Sequence, residues 1–261
     1  MTLEELREQI PLIQELLERA GIWLLTKEGF EADDVLGTMA KGLARQGSEV
    51  KILSGDRDLL QLVDEHITLL IPKTKKGGTT TEIYHPQEVE DKYGVSPEGY
   101  LQMKSLMGDS SDNIPGVPSI GEVTAGKIIK AYGTLENAIA NAGSIKPAKA
   151  SANLITYQEQ ARLSLELATI VTTVPDPGEV TPLGPEVFST DAFMEGLKTY
   201  ELRSLISRVS ALRVSAKTDG DEGKPAQENL SPAVPSGGLC APSAMTALLK
   251  EAREAAFFLL M

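Results

Sequence analysis

The sequence predicts an α/β fold: a mostly parallel sheet with its helices, followed by a helical region. Over residues 1–85 short aliphatic runs alternate with stretches of helical periodicity. From Pro86 to about Leu212 nearly everything has helical spacing. With 261 residues, 41% of them apolar, the chain can bury a real core as one large domain or two smaller ones.

The elements follow in order. Thr2 and Glu5 fit a capping box, and Leu3, Leu6, Ile10, Ile13, Leu16 and Leu17 recur at helical spacing, with Pro11 expected to bend the helix. After Gly21, Ile22-Trp23-Leu24-Leu25 reads as a buried strand, and residues 31–46 as a helix ending near Gly47. Val50 to Leu53 is a second strand, Leu59 to Val63 a short helix and Ile67 to Ile71 a third strand. Lys73 to Tyr84 (KTKKGGTTTEIY) reads as a basic loop entering another short strand. Helices are predicted after Gly121, near Leu135, around Leu154–Val171 and around Phe193–Leu212. Beyond Ser215 the composition turns polar and rich in Pro and Gly, as in a linker, before a final helix and the opening of a strand.

The net charge of −12 argues at first sight against nucleic-acid binding. Carboxylates gathered around metal ions make that formal count misleading, because bound cations invert the local field. One cysteine, Cys240, excludes an internal disulfide framework and fits a reducing cytoplasm. There is no apolar run of membrane-spanning length and no signal-peptide pattern at the start, so no membrane association is expected.

Three acidic clusters lie where the chain leaves strands or enters helices: Glu31-Ala32-Asp33-Asp34, Asp56-Arg57-Asp58 after Gly55, and Asp109 with Asp112 after Gly108. Ligands collect at the carboxyl ends of strands in open α/β sheets, so the first two clusters should face one crevice. Taken singly, each could merely complement a helix dipole. Together they suit divalent cations. Oxygen ligands, with only His66 and His85 as imidazoles, favour Mg²⁺ or Mn²⁺ over Zn²⁺. A pair of such ions about 3.5–4 Å apart is the arrangement used in phosphodiester hydrolysis. Neither histidine has a partner motif of the nucleophile–base kind.

The third cluster runs into Ile114-Pro115-Gly116-Val117-Pro118-Ser119-Ile120-Gly121 and then a helix. Glycines in such a hairpin permit close backbone approach, and successive amides at a helix start can grip a phosphate without reading a base. Lys127, Lys130, Lys146 and Lys149 add positive charge nearby. The alternative is an ordinary helical packing element with a solvated lysine face.

The stretches GFEADDVLGTMA, ILSGDRDLLQLV, YGVSPEGYLQMKSLMGDSSDNIPGVPSIGEVTAGKIIKAYG and YELRSLISRV resemble the 5′ nuclease (5′–3′ exonuclease) domain of bacterial family A DNA polymerases, the DNA polymerase I family, within the flap endonuclease superfamily. The match covers roughly residues 3–213, in family order. It implies a PIN-like nuclease fold, with residues 1–85 as its α/β core and 86–214 as a helical helix–hairpin–helix part that binds DNA. Residues 215–242 would be a linker and 243–261 the opening of a 3′–5′ exonuclease-like domain. The resemblance implies metal-binding roles for Glu31, Asp33, Asp34, Asp56, Asp58, Asp109 and Asp112, with Asp33, Asp34, Asp56, Asp58 and Asp109 as the catalytic set. The first cluster would serve mainly the tighter metal and the others mainly the second. The hairpin residues Gly116, Val117, Ser119, Ile120, Gly121, Thr124 and Lys127 would contact duplex DNA, with a K⁺ ion at the hairpin. Ser119 and Val123 stand where the family often has Gly and Lys.

The implied activity is cleavage of 5′ ends and flaps at nicked or gapped duplexes, in primer removal and repair. The expected protein is monomeric, bacterial, cytoplasmic and nucleoid-associated, normally fused to 3′–5′ exonuclease-like and polymerase domains. Family members begin with two strands carrying further metal-binding aspartates and a basic helical arch. This chain enters the pattern after them, so it is expected to be a piece cut at both ends with little or no cleavage activity. A non-catalytic DNA-binding module is the rival reading. A stand-alone exonuclease is another, against which the linker speaks.

Overall fold

The computed structural model describes residues 3–75, 78–180, 183, 187–188, 190–218 and 256–259. Contacts divide the chain into two compact units. One gathers α1 (Leu3–Arg19), α9 (Asp191–Thr199) and α10 (Arg203–Thr218). Its core is Ala20, Phe193, Met194, Leu197 and Val209, with Leu16, Ile22 and Ile206 packed against it. Tyr200 donates to Glu15 Oε2 at 2.6 Å, and Arg19 Nη2 reaches Glu15 Oε1 at 2.8 Å, which ties the end of α9 to α1. Thr2, the expected cap of α1, lies outside the described residues; α1 itself continues through Pro11.

Ile22–Leu25 is not the buried strand expected from its composition. It has no regular structure, and Trp23 and Leu24 are exposed. A strand needs a ladder partner for its amides, and among the described residues none pairs with this run.

The other unit holds the sheet and the remaining helices. α2 (Ala32–Ala44) carries Asp33 and Asp34 in its first turn, and the chain reverses at Gly47 with φ +84°. β1 (Val50–Leu53) pairs in parallel with β2 (Ile67–Lys75), in the register Val50↔Ile67 to Leu53↔Leu70. A 3₁₀ turn, Asp58–Leu62, lies between them. β3 (Gly78–Tyr84) follows β2 after two residues, a connection that only antiparallel neighbours allow. The sheet is therefore mixed, and the segment read as a basic loop is mostly strand. Lys73 pairs with Glu82 at 2.6 Å across the two strands. β4 (Ala256–Leu259) completes the order β3–β2–β1–β4. It is the strand expected at the C-terminus. The helix expected before it lies outside the described residues; of the expected linker 215–242, Ser215 to Thr218 are the last residues of α10 and the rest lies outside the described residues.

The helices that follow are α3 (Pro86–Tyr93), α4 (Pro97–Met107), α5 (Glu122–Tyr132), α6 (Leu135–Ala140), α7 (Ala148–Thr156) and α8 (Gln158–Ala168). The single helix expected around 154–171 is two, because Tyr157 leaves helical geometry between α7 and α8. The one expected around 193–212 is likewise broken, at Glu201 with φ +53°. The apolar spacing continues across the one non-helical residue between α7 and α8 and the three between α9 and α10, so spacing alone joins such pairs. One core runs from Leu36 and Ala40 of α2 through Ile52, Leu60, Ile67 and Leu69 to Met103 and Leu106 of α4 and Leu154 of α7. It fixes α4, with the loop at its C-terminus, beside the sheet.

Candidate metal centre

Asp58 opens the 3₁₀ turn that leaves β1, and Asp109 and Asp112 lie on the loop that leaves α4. The two elements bring one oxygen from each of Asp58, Asp109 and Asp112 within 4.8 Å of one another. Among the described residues this is the only group of ligating side chains so gathered. In its midst stands Lys104 of α4, with 4% of its side chain exposed. Its ammonium bonds Asp58 Oδ1, lies 2.8 Å from Asp109 Oδ2 and 4.0 Å from Asp112 Oδ2. A burial this complete is tolerated only for a paired lysine.

The loop is built to hold Asp109 still. Gly108 ends α4 with φ +72°, and Asp109 and Ile114 exchange both backbone hydrogen bonds at 2.8 and 2.9 Å. Asp109 Oδ1 accepts from the Ser111 amide at 2.8 Å and from the Ser111 hydroxyl. Asp56, one strand-exit away, accepts the Asp58 amide on Oδ1 at 2.8 Å and shapes the turn that aims Asp58.

The electrostatics follow this geometry. The hydrogen bond from Lys104, aided by Ser111, holds Asp109 down at about 2. Burial raises Asp58, and the Lys104 contact only partly offsets it, because Asp58 lies deeper. Burial works against the Lys104 charge, but its bonds to Asp109 and Asp58 outweigh it and raise its pKa. Burial, then the charges of Asp56 and Asp58, push Asp33 up to about 6. The charges of Asp56 and Asp58 at the exit of β1 thus act on the start of α2, although the strand expected before that first cluster, at Ile22–Leu25, is not formed.

The other acidic positions are placed differently. Asp34 accepts the Glu31 amide on Oδ2 at 3.2 Å and the Val171 amide on Oδ1 at 2.8 Å, so it caps α2 and ties down the chain after α8. Glu31 and Asp56 are exposed. In the hairpin, Val117 and Ile120 are buried and donate their amides to Leu106 and Val117 carbonyls, while the Gly116 amide donates to Ser164. Ser119, with φ +65°, Gly121 and Lys127 are exposed, and Thr124 is half-buried. The amides of Glu122 and Val123 open α5 and have no intrahelical partner. His66 pairs with Glu49, and His85 with Glu88, both on the surface.

Sequence reasoning missed Lys104 and Ser164. The only signal for Lys104 was a lysine on the apolar face of a helix, one turn before a Gly-Asp pair. The donor set fits a hard divalent cation: carboxylate oxygens alone, partly enclosed, already arranged around a positive charge. Among the described residues no helix is long and apolar enough to cross a membrane.

Two family models match the chain in succession: "5′-3′ exonuclease, N-terminal resolvase-like domain" over residues 1–94 and "5′-3′ exonuclease, C-terminal SAM fold" over residues 95–189. DNA polymerase I of Bacillus subtilis is 40% identical over 215 residues, 82% of this chain and 24% of that protein. DNA polymerase I of Bacillus caldotenax is 49% identical over 166 residues, 64% of this chain and 19% of that protein. The chain thus spans about a quarter or less of the length of these relatives. In fold it is similar to the T5 5′-exonuclease bound to divalent zinc ions, with TM-score 0.56, 23% identity and 76% of this chain matched to 71% of that one. It is similar also to the bacteriophage T5 D15 flap endonuclease in a complex with DNA and metal ions, with TM-score 0.56, 22% identity and 79% matched to 73%. With both halves of one enzyme family matched in order over residues 1–189, the chain belongs to the 5′–3′ exonuclease family.

Proposed function

We propose that this chain is the 5′–3′ exonuclease part of a bacterial DNA polymerase I acting in replication and repair, a part whose chemistry is hydrolysis of DNA phosphodiesters at 5′ ends and flaps, with weak cleavage at most expected of this chain by itself. The observation that carries the reading is the convergence of Asp58, Asp109 and Asp112 on one buried ammonium, beside a hairpin that opens a helix. Those three carboxylates would hold one divalent ion, Mg²⁺ or Mn²⁺. Asp33 and Asp56, in the same field, would serve a second, with Glu31 at the rim and Asp34 fixing α2. The chemistry that ions held by these residues would supply is activation of water and neutralisation of charge on the phosphodiester oxygens.

The chain's own groups prepare the site. Asp56 and Ser111 orient the ligands, and Lys104 favours the charged forms of Asp58 and Asp109 and holds the two close together. DNA contact falls to Ser119, Gly121, Thr124 and Lys127, while Gly116, Val117 and Ile120 shape the turn, which would also hold a K⁺ ion. Such contacts grip the backbone of a nicked, gapped or flapped duplex without reading its sequence. The proposed setting is a monomer in the bacterial cytoplasm and nucleoid, joined to 3′–5′ exonuclease-like and polymerase domains.

The test is cleavage of a 5′-labelled flap in Mg²⁺ and in Mn²⁺, with binding of the same DNA in Ca²⁺ alongside. Metal-dependent cleavage lost in Asp109→Ala supports the hydrolytic reading. Binding without cleavage in either metal favours a DNA-binding module that lacks catalysis.

A further inference from the structure

Gly116 is the residue shared by the metal-binding loop and the hairpin, and both of its backbone groups are held by one face of α8. Its amide donates to Ser164 Oγ at 3.0 Å, and its carbonyl accepts from Gln160 Nε2 at 2.6 Å. The two side chains are one helical turn apart, and the Ser164 hydroxyl donates to the Gln160 carbonyl at 2.8 Å, which closes the ring of bonds. Ser164 is fully buried. The other buried positions of α8 are Ala161 and Ala168.

Gly116 in turn lies against the end of α4. A Cβ placed on it would fall 2.3 Å from the Gly108 nitrogen and 2.5 Å from the Met107 carbonyl carbon. Gly108 directly precedes Asp109, and the two backbone bonds between Asp109 and Ile114 close the loop just before Gly116. A shift of the Gly116 peptide therefore moves Gly108, and with it the Asp109 carboxylate.

We propose that Ser164 and Gln160 are positioning residues for the metal centre, fixing through Gly116 the place of Asp109 among Asp58 and Asp112. The inference rests on the metal-binding reading of those three carboxylates. Neither α8 side chain touches a ligand oxygen. They act on the backbone that carries one, in the way that groups around a metal site orient its ligands.

The experiment is a Mn²⁺ titration followed by the paramagnetic resonance of free Mn²⁺, with thermal melting in EDTA recorded for the same proteins. Ser164→Ala removes the acceptor for the Gly116 amide, and Gln160→Glu keeps the shape while losing the donor to its carbonyl. Each is expected to weaken Mn²⁺ binding about tenfold. Ala161→Gly, equally buried on α8 but without a bond to the loop, controls for lost stability and is expected to keep its Mn²⁺ affinity. Ser164→Thr retains the hydroxyl and is expected to restore most of the affinity. If Ser164→Ala does not fold, Gln160→Glu on its half-buried side chain decides the matter. Mn²⁺ affinity unchanged in Gln160→Glu and Ser164→Ala, with Asp109→Asn strongly weakened, would overturn the positioning role and leave the metal centre standing. Affinity unchanged in Asp109→Asn would overturn the metal centre and this inference with it.

Discussion

Lys104 Nζ lies 2.8 Å from Asp109 Oδ2 and bonds Asp58 as well, inside a group of carboxylates and almost wholly out of water. The protein thus carries its own counter-ion in the place where a divalent cation would be held. Lys104→Met leaves Asp58 and Asp109 facing each other without a cation, and in EDTA it is expected to lower stability by about 3 kcal/mol. Because Mn²⁺ can replace the lost charge, adding it should recover more of the melting temperature for the variant than for the wild type. Equal shifts on adding Mn²⁺ would count against a site shared between lysine and metal.

Asp33 provides the pH test. Its folded pKa, about 6, lies above the ordinary 3.8, because burial and then Asp56 and Asp58 oppose its charge. The folded chain therefore binds more protons than the unfolded chain between those values. Stability from this group is full below about pH 4 and is lost as the pH rises through about 6. Asp33→Asn escapes that loss. In EDTA at neutral pH it should melt higher than the wild type, by about 1 kcal/mol once solvent screening is allowed for, with the gap closing in acid. A variant that is less stable at neutral pH would contradict the shared field.

Two glycines should respond oppositely to alanine. Gly116→Ala puts a Cβ at a positive φ and into the backbone of Gly108, so it should destabilise by about 3 kcal/mol or more and weaken Mn²⁺ binding. Gly42, inside α2, has nothing within 4 Å of an added Cβ. Gly42→Ala should stabilise by about 0.5–1 kcal/mol through helix propensity. Denaturant melts of both variants check the pair.

Lys127 is exposed on α5, one turn beyond the helix start. If it meets a phosphate, Lys127→Ala should weaken binding to all duplex sequences alike and reduce the slope of log K against log salt by about 1. Fluorescence anisotropy in Ca²⁺ over a salt series measures this. An unchanged slope would remove Lys127 from the interface.

The acidic clusters were legible because Gly-Asp pairs after an apolar run mark strand and helix exits, where ligands gather. Asp58 and Asp109 accordingly meet. Which carboxylates converge and which one caps a helix was not legible. Asp33 and Asp34 are neighbours in sequence, yet the Val171 amide that engages Asp34 lies 137 residues away. Lys104 and Ser164 are polar residues among the buried positions of their helices, and only tertiary contact gives them a purpose. Ile22–Leu25 misled for the converse reason: its apolar composition suits a strand, but strand structure depends on a partner that the run itself does not supply. The break at Tyr157 left the helical period intact, and β2–β3 was obscured by lysines and threonines whose pairing across the strands is local chemistry, as Lys73 with Glu82 shows.

The most direct test of the central claim is anomalous diffraction from crystals of this chain soaked in Mn²⁺, recorded near the manganese edge. The account predicts a peak bounded by Asp58, Asp109 and Asp112. A Mn²⁺ peak elsewhere, with Lys104 still bonded to Asp58 and Asp109 and no density between those carboxylates at saturating metal, would contradict it.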